Sequence, residues 1–266
     1  IRTVEPRHVK VAQEVFKKVY EKGDIYKGSY ESLYCEGCEA FYTEKDLIDG
    51  KCPEHNKKLE YKKEDGYFFK LSKYKDQIIK LIEKDRLIVP KEKSNEILNR
   101  LKSEDLKDLS VSRINKNCGI KTPIDDNHTI YVWFDALINY YSATRTKDKE
   151  KYWPPDVHLI GKGINWFHSV IWPGMLFSAE IKQPKKVLVH GYLTVNWKKI
   201  GKSLGNVIDP IHLIEKYGSD SLRYFLVREI KFMEDGDFSE EALKSRINNE
   251  LANDLGNLIS RVLTIC

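Results

Sequence analysis

An α/β fold is predicted, and three observations predict it. Short β-branched or apolar runs are each followed by a helical pattern, as in His128–Phe134 before Asp135–Tyr141 and Asp156–Gly161 before Ile164 onward. A tight cluster of cysteines near the N-terminal end reads as a metal knuckle beside that fold. From Glu240 to the end the pattern is helical throughout.

The chain has 266 residues, enough for one large domain or two ordinary ones. Hydrophobic residues make up 41% and charged residues 32%, a globular balance with a well-charged surface. A net charge of +5 permits a polyanionic partner without requiring one. The apolar stretches are too short and too interrupted to span a bilayer, and no secretory leader is evident. The chain opens on Ile1 rather than Met, so further sequence is expected upstream. No internal repeat or low-complexity segment is present.

Taken in order, Pro6 to Gly23 reads as an amphipathic helix with Val11, Val15, Phe16 and Val19 on one face and Gly23 as its stop. Cys35-x-x-Cys38 and Cys52-x-x-His55 follow, with thirteen residues between the pairs. Each two-residue spacer lets one turn present both ligands, and the four donors suit a single tetrahedral zinc. A pair of disulfides fails because His55 cannot join one. A closed four-ligand site has no open position, so the zinc is expected to be structural. Tyr67–Leu71 reads as a short strand, and Lys73–Lys84 and Glu92–Leu101 as helices. Their lysines read first as a solvated face and second as contact with a polyanion. Leu109–Arg113 reads as a strand.

In the two β-α units, Trp133, Ala136, Leu137 and Tyr140 lie close together, and Ile164, His168 and Trp172 recur at intervals of four. Aromatic and apolar groups that meet at strand ends form a pocket where open α/β sheets bind ligands. Such a pocket suits a flexible, polarisable thioether. The alternative is that these side chains are ordinary core. Val187–Gly191 reads as a buried strand. After it come Lys198 to Pro210, where Lys199 and Lys202 flank a bend at Gly201. Lysines so placed can follow a polyphosphate as its charge moves, or can be a solvated turn. Gly201-Lys202-Ser203 ends like a phosphate-binding P-loop, but Asn196 stands where that motif needs glycine. Asp209 and Pro210 then start a helix, and Asp220–Glu229 forms another.

Lys199-Ile-Gly-Lys202-Ser203-Leu-Gly-Asn206 resembles the Lys-Met-Ser-Lys-Ser signature of class I aminoacyl-tRNA synthetases. Its setting, with Gly191-Tyr-Leu-Thr before it and Val207-Ile-Asp-Pro after it, is most similar to the methionyl-tRNA synthetases, and the resemblance runs from Ile1 to Cys266. It implies a partial Rossmann-type catalytic domain carrying an inserted zinc-knuckle connective domain. The implied division is 1–106 connective domain, 107–208 second Rossmann half, 209–240 stem-contact region and 241–266 start of the anticodon-binding bundle. It also implies a cytoplasmic methionine–tRNA ligase that activates methionine with ATP and magnesium, then transfers it to tRNA(Met). By that resemblance Lys199, Lys202 and Arg113 are catalytic, with Ser203 and Ile164 at ATP. Trp133, Ala136, Leu137, Tyr140, Ile164, His168 and Trp172 form the methionine pocket. Cys35, Cys38, Cys52 and His55 hold zinc.

Several positions depart from the family pattern. Ile200 and Gly201 replace Met and Ser, Cys118-Gly-Ile-Lys121 replaces Trp-Gly-Ile-Pro, and Gly163 stands where the family has Asp in Gly-Lys-Asp-Ile. The partner signature His-x-Gly-His does not occur among the seven histidines and is expected upstream of Ile1. These departures keep a second reading open, a non-catalytic tRNA-binding or scaffolding relative. The leucyl, isoleucyl and valyl enzymes fit less well, because the stretch from Ile1 to Arg113 is short for their editing insertion.

Overall fold

A computed structural model describes residues 1–35, 40–42, 44, 47–53, 56–114, 118–201 and 205–266. In chain order its main elements begin with helix α1 (Pro6–Glu21), strands β1 (Ile25–Cys35), β2 (Ala40–Tyr42) and β3 (Glu60–Phe69), and helix α2 (Lys75–Asp85). Then come β4 (Ile88–Val89), α3 (Lys91–Ser103), β5 (Leu109–Ser110), β6 (Ser112–Ile114), β7 (His128–Ile130), α4 (Val132–Ser142) and β8 (His158–Gly161). The remainder is α5 (Trp172–Ala179), β9 (Val187–His190), β10 (Leu193–Val195), β11 (Lys198–Lys199), α6 (Pro210–Tyr217), α7 (Ser219–Arg228), β12 (Gly236–Asp237), α8 (Glu240–Arg246) and α9 (Gly256–Ile265). The chain divides into two compact units.

The first unit comprises 1–87, 94–157 and 166–186. Its antiparallel sheet has the order β2-β1-β3-β5. The β1–β3 ladder runs from Ile25 opposite Phe69 to Tyr34 opposite Glu60, so the expected strand at Tyr67 begins seven residues earlier. Pairing with the long strand β1 extends it further than its own apolar residues would. Phe16 of α1 meets Phe134 of α4 edge-on at 5.5 Å, and Phe69 meets the same ring at 6.4 Å. Ile78, Ile82, Leu137, Ile138, Trp172 and Met175 complete this core. Inside it, His8 is fully buried and bridges Ser142 Oγ at 2.7 Å and Asp135 Oδ1 at 2.5 Å. Burial holds the Asp135 carboxyl above the usual carboxylate range, the His8 bond opposing it.

The strand expected over His128–Phe134 stops at Ile130, and α4 starts at Val132. Tyr131 is extended and its N–H donates to Val111 O at 2.9 Å, which ends the ladder. Phe134, Leu137 and Ile138 are buried at helical spacing, and their packing overrides the β preference of the aromatic run. The helix expected from Ile164 is also irregular. A 3₁₀ turn spans Lys162–Ile164 and a π-helical stretch spans Phe167–Ile171, before α5 begins.

The second unit comprises 88–93, 158–165 and 187–266. Strands β4, β9 and β8 form a parallel sheet, with Gly161 at the end of β8 opposite His190. A second small sheet has the order β11-β10-β12. The chain enters it through Gly191, where a Cβ would stand 2.1 Å from Glu234 O and 2.4 Å from Asp235 N. No residue with a side chain fits against that backbone. Leu213, Leu222, Phe225, Phe238 and Leu243 form this unit's helical core. Asp209 and Ser239 cap α6 and α8, accepting from Ile211 N and Ala242 N. The helical run after Glu240 contains a π-helical stretch at Ile247–Leu255. Among the described residues, no helix is long and apolar enough to cross a membrane.

Candidate functional site

Because α4 starts at Val132, Trp133, Ala136, Leu137 and Tyr140 fall on one face of that helix, at i, i+3, i+4 and i+7. The start of this helix thus aligns four residues that a strand would have scattered. Within the first unit, Tyr140 Oη lies 2.8 Å from His168 Nε2, and their rings meet edge-on at 5.5 Å. Trp172 lies 6.5 Å from Tyr140 and 6.2 Å from Trp153. His168 and Trp172 are each 1% exposed, whereas Trp133 and Tyr140 are half-buried. Burial pushes the Tyr140 phenol up, so it stays a neutral donor. Trp133 stacks on Phe167 at 3.9 Å, an aromatic neighbour the spacing argument had not included. The π-helical stretch widens the turn between His168 and Trp172, a distortion that recurs at functional sites. Chemically this is an aromatic lining with one hydrogen-bonded phenol–imidazole pair.

Arg113 also belongs to this unit. Its guanidinium lies 4.1 Å from the Tyr131 ring centroid and donates to Ser110 Oγ at 2.9 Å and Ser112 O at 2.7 Å. Cys35 and Cys52 are buried, and Asn56 N donates to Cys52 O at 2.8 Å. The other expected zinc ligands, Cys38 and His55, lie outside the described residues. A cavity of about 390 Å³ lies elsewhere in the unit, lined by Val4, Val9, Ile120 and Asp135, and none of the expected site residues lines it.

The second unit holds the remaining expected residues, Ile164 and the lysine segment. Lys199 lies in β11 and pairs with Thr194, so the segment expected as a loop from Lys198 begins as a hairpin strand. A two-residue turn with Asn196 at φ 52° and Trp197 at φ 57° closes that hairpin. Asn206 accepts from Gly201 N at 3.0 Å and donates to Lys199 O at 3.1 Å. Lys202 and Ser203 lie outside the described residues. Tyr192 and Asp235 join this segment with no motif to announce them. Tyr192 has Lys162 Nζ 4.8 Å and Lys199 Nζ 5.3 Å from its ring centroid. Asp235 Oδ2 accepts from Lys162 Nζ at 2.5 Å, which holds its carboxyl below the usual range. A lone Tyr between two strands and a distant Asp carry no sequence signal of this meeting.

The chain matches the family described as tRNA synthetases class I (M) over residues 1–61 and 55–263. It belongs to the class I (M) tRNA synthetases. Within that family it is 51% identical over 271 residues to a methionine–tRNA ligase of Caldanaerobacter subterraneus subsp. tengcongensis, covering 100% of this chain and 42% of the relative. It is 48% identical to the methionine–tRNA ligase of Thermotoga maritima, covering 98% of this chain and 43% of that protein. Among solved structures it is similar to Mycobacterium tuberculosis methionyl-tRNA synthetase bound by methionyl-adenylate. The TM-score is 0.90 and the identity 38%, with 98% of this chain and 53% of that one covered. The chain therefore spans about half the length of these relatives, with the mixed α/β catalytic fold of the class I (M) synthetases.

Proposed function

We propose that this chain is part of a methionine–tRNA ligase that makes methionyl-adenylate and then methionyl-tRNA(Met) in the cytoplasm. The observation that most supports this is the aromatic cluster, with Tyr140 hydrogen-bonded to His168 beside Trp172. It offers a thioether polarisable ring faces and one weak donor, which an all-alkyl cavity would lack. The relative from M. tuberculosis holds methionyl-adenylate, which fits the same reading.

In the first step the methionine carboxylate attacks the α-phosphorus of ATP and pyrophosphate leaves. In the second, a terminal hydroxyl of tRNA takes the methionyl group and AMP leaves. Trp133, Ala136, Leu137, Tyr140, His168, Trp172 and Ile164 hold the amino acid, and Ile164 also borders ATP. Lys199 and Lys202, with Ser203, bear on the polyphosphate and stabilise charge that develops on the leaving group. Magnesium supplies further positive charge when ATP is bound. Arg113, now stacked on Tyr131, is assigned to the nucleotide by the same reading. Cys35, Cys38, Cys52 and His55 would hold a structural zinc. The burial of Cys35 and Cys52 suits thiolate ligands shielded from solvent. The division into connective domain (1–106), Rossmann half (107–208), stem-contact region (209–240) and bundle start (241–266) follows from the same reading.

The test is methionine-dependent exchange of pyrophosphate into ATP, measured on the protein as its gene encodes it. Exchange that needs methionine supports the reading. Exchange no higher than without methionine refutes it and favours the non-catalytic relative.

A further inference from the structure

Gly163 is the departure from the family pattern with the clearest physical counterpart. A Cβ at this position would stand 2.0 Å from Tyr192 Oη and 3.2 Å from Cζ. The Tyr192 ring thus lies where a side chain at 163 would begin. The far end of a tyrosine can swing, so a larger residue there would displace the ring rather than break the backbone. The ring's root is fixed, because Tyr192 N donates to Asp235 Oδ1 at 2.8 Å and Tyr192 O accepts from Gly236 N at 3.0 Å.

Two ammonium groups approach that ring, Lys162 at 4.8 Å and Lys199 at 5.3 Å from its centroid. Both distances are within the range of cation–π attraction. Two cations on one ring would repel each other, but Asp235 Oδ2 sits 2.5 Å from Lys162 Nζ and neutralises it. The ring's attraction is thereby left to Lys199.

We propose that Tyr192 is a positioning residue for Lys199, and that the absence of a side chain at Gly163 is what allows it. The role of Lys199 on the ATP polyphosphate rests on the function proposed above. Held over the ring, the lysine has fewer orientations to lose when it meets the polyphosphate. Gly163 is then a working part of the site and not the scar of a lost carboxylate.

The experiment compares Gly163→Ala, Gly163→Asp, Tyr192→Leu and Tyr192→Phe with the parent, all in the protein as encoded. One readout is the rate at which a small amine-reactive ester acylates Lys199, followed by mass spectrometry. The other is KM for ATP and for methionine in pyrophosphate exchange. Gly163→Ala, Gly163→Asp and Tyr192→Leu are expected to speed Lys199 acylation. They are also expected to raise KM for ATP about threefold while leaving KM for methionine unchanged, the scale of one exposed cation–π contact. Tyr192→Phe keeps the ring and is expected to stay near the parent in both. The inference is overturned if Gly163→Ala and Tyr192→Leu leave acylation at the parental rate. It is also overturned if both Michaelis constants rise together, or if Gly163→Asp tightens ATP. Acylation needs no catalysis, so a parent without exchange activity sinks the ligase reading while the labelling still decides whether Tyr192 holds Lys199.

Discussion

Tyr140→Phe removes one oxygen and keeps the ring. The loss is the 2.8 Å hydrogen bond to His168, in a place where His168 is 1% exposed. A neutral hydrogen bond contributes about 1 kcal/mol net. Tyr140→Ala removes in addition the ring contacts with His168 at 5.5 Å and Trp172 at 6.5 Å. With two aromatic pairs lost and a half-buried ring deleted, the expected cost is about 3 kcal/mol. Urea unfolding followed by tryptophan fluorescence measures both, because Trp133, Trp153, Trp166 and Trp172 all lie in the first unit. At a slope of about 2 kcal/mol/M, the midpoint falls by about 0.5 M for Phe and about 1.5 M for Ala. In pyrophosphate exchange, Tyr140→Phe is expected to raise KM for methionine and leave KM for ATP unchanged. Equal destabilisation by Phe and Ala, or a raised KM for ATP alone, would refute the assignment of the Tyr140–His168 pair to the methionine pocket.

Trp197→Gly is expected to stabilise the second unit by about 1 kcal/mol, seen as a higher thermal midpoint. Trp197 has φ 57° and is 75% exposed, so glycine relieves backbone strain and forfeits little packing. Gly191→Ala is expected to cost about 3 kcal/mol or to prevent accumulation of folded protein, since its Cβ meets the backbone of Glu234 and Asp235. The Lys216 ammonium, and after it the Tyr217 hydroxyl, hold Glu240 down to about 2. Its folded pKa lies below its unfolded value, so its contribution is complete above about pH 4.5 and is lost as pH falls toward 2. Glu240→Gln is therefore expected to flatten the acid limb of stability between those values in a pH series of unfolding curves; an unchanged limb would count against the pairing.

The sequence by itself determined the helices whose apolar faces are regular. The helices expected at 6–23 and 73–84, found at Pro6–Glu21 and Lys75–Asp85, were legible from apolar periodicity, and Pro210–Tyr217 from its Asp209 cap, because both signals are local. The family was legible too, since the lysine signature and its flanks are contiguous in the chain. Tertiary structure decided where α4 begins. The run His128–Phe134 is β-branched and aromatic, and only burial of Phe134, Leu137 and Ile138 turns its end into a helix. That start aligns Trp133 with Tyr140 on one face. The tertiary structure also decided that Tyr192, Lys162, Lys199 and Asp235 meet beside Gly163. Those residues span 74 positions of sequence, and a contact at that separation leaves no periodic trace in the chain. Local chemistry names the candidate residues, whereas packing over long separations selects which of them touch.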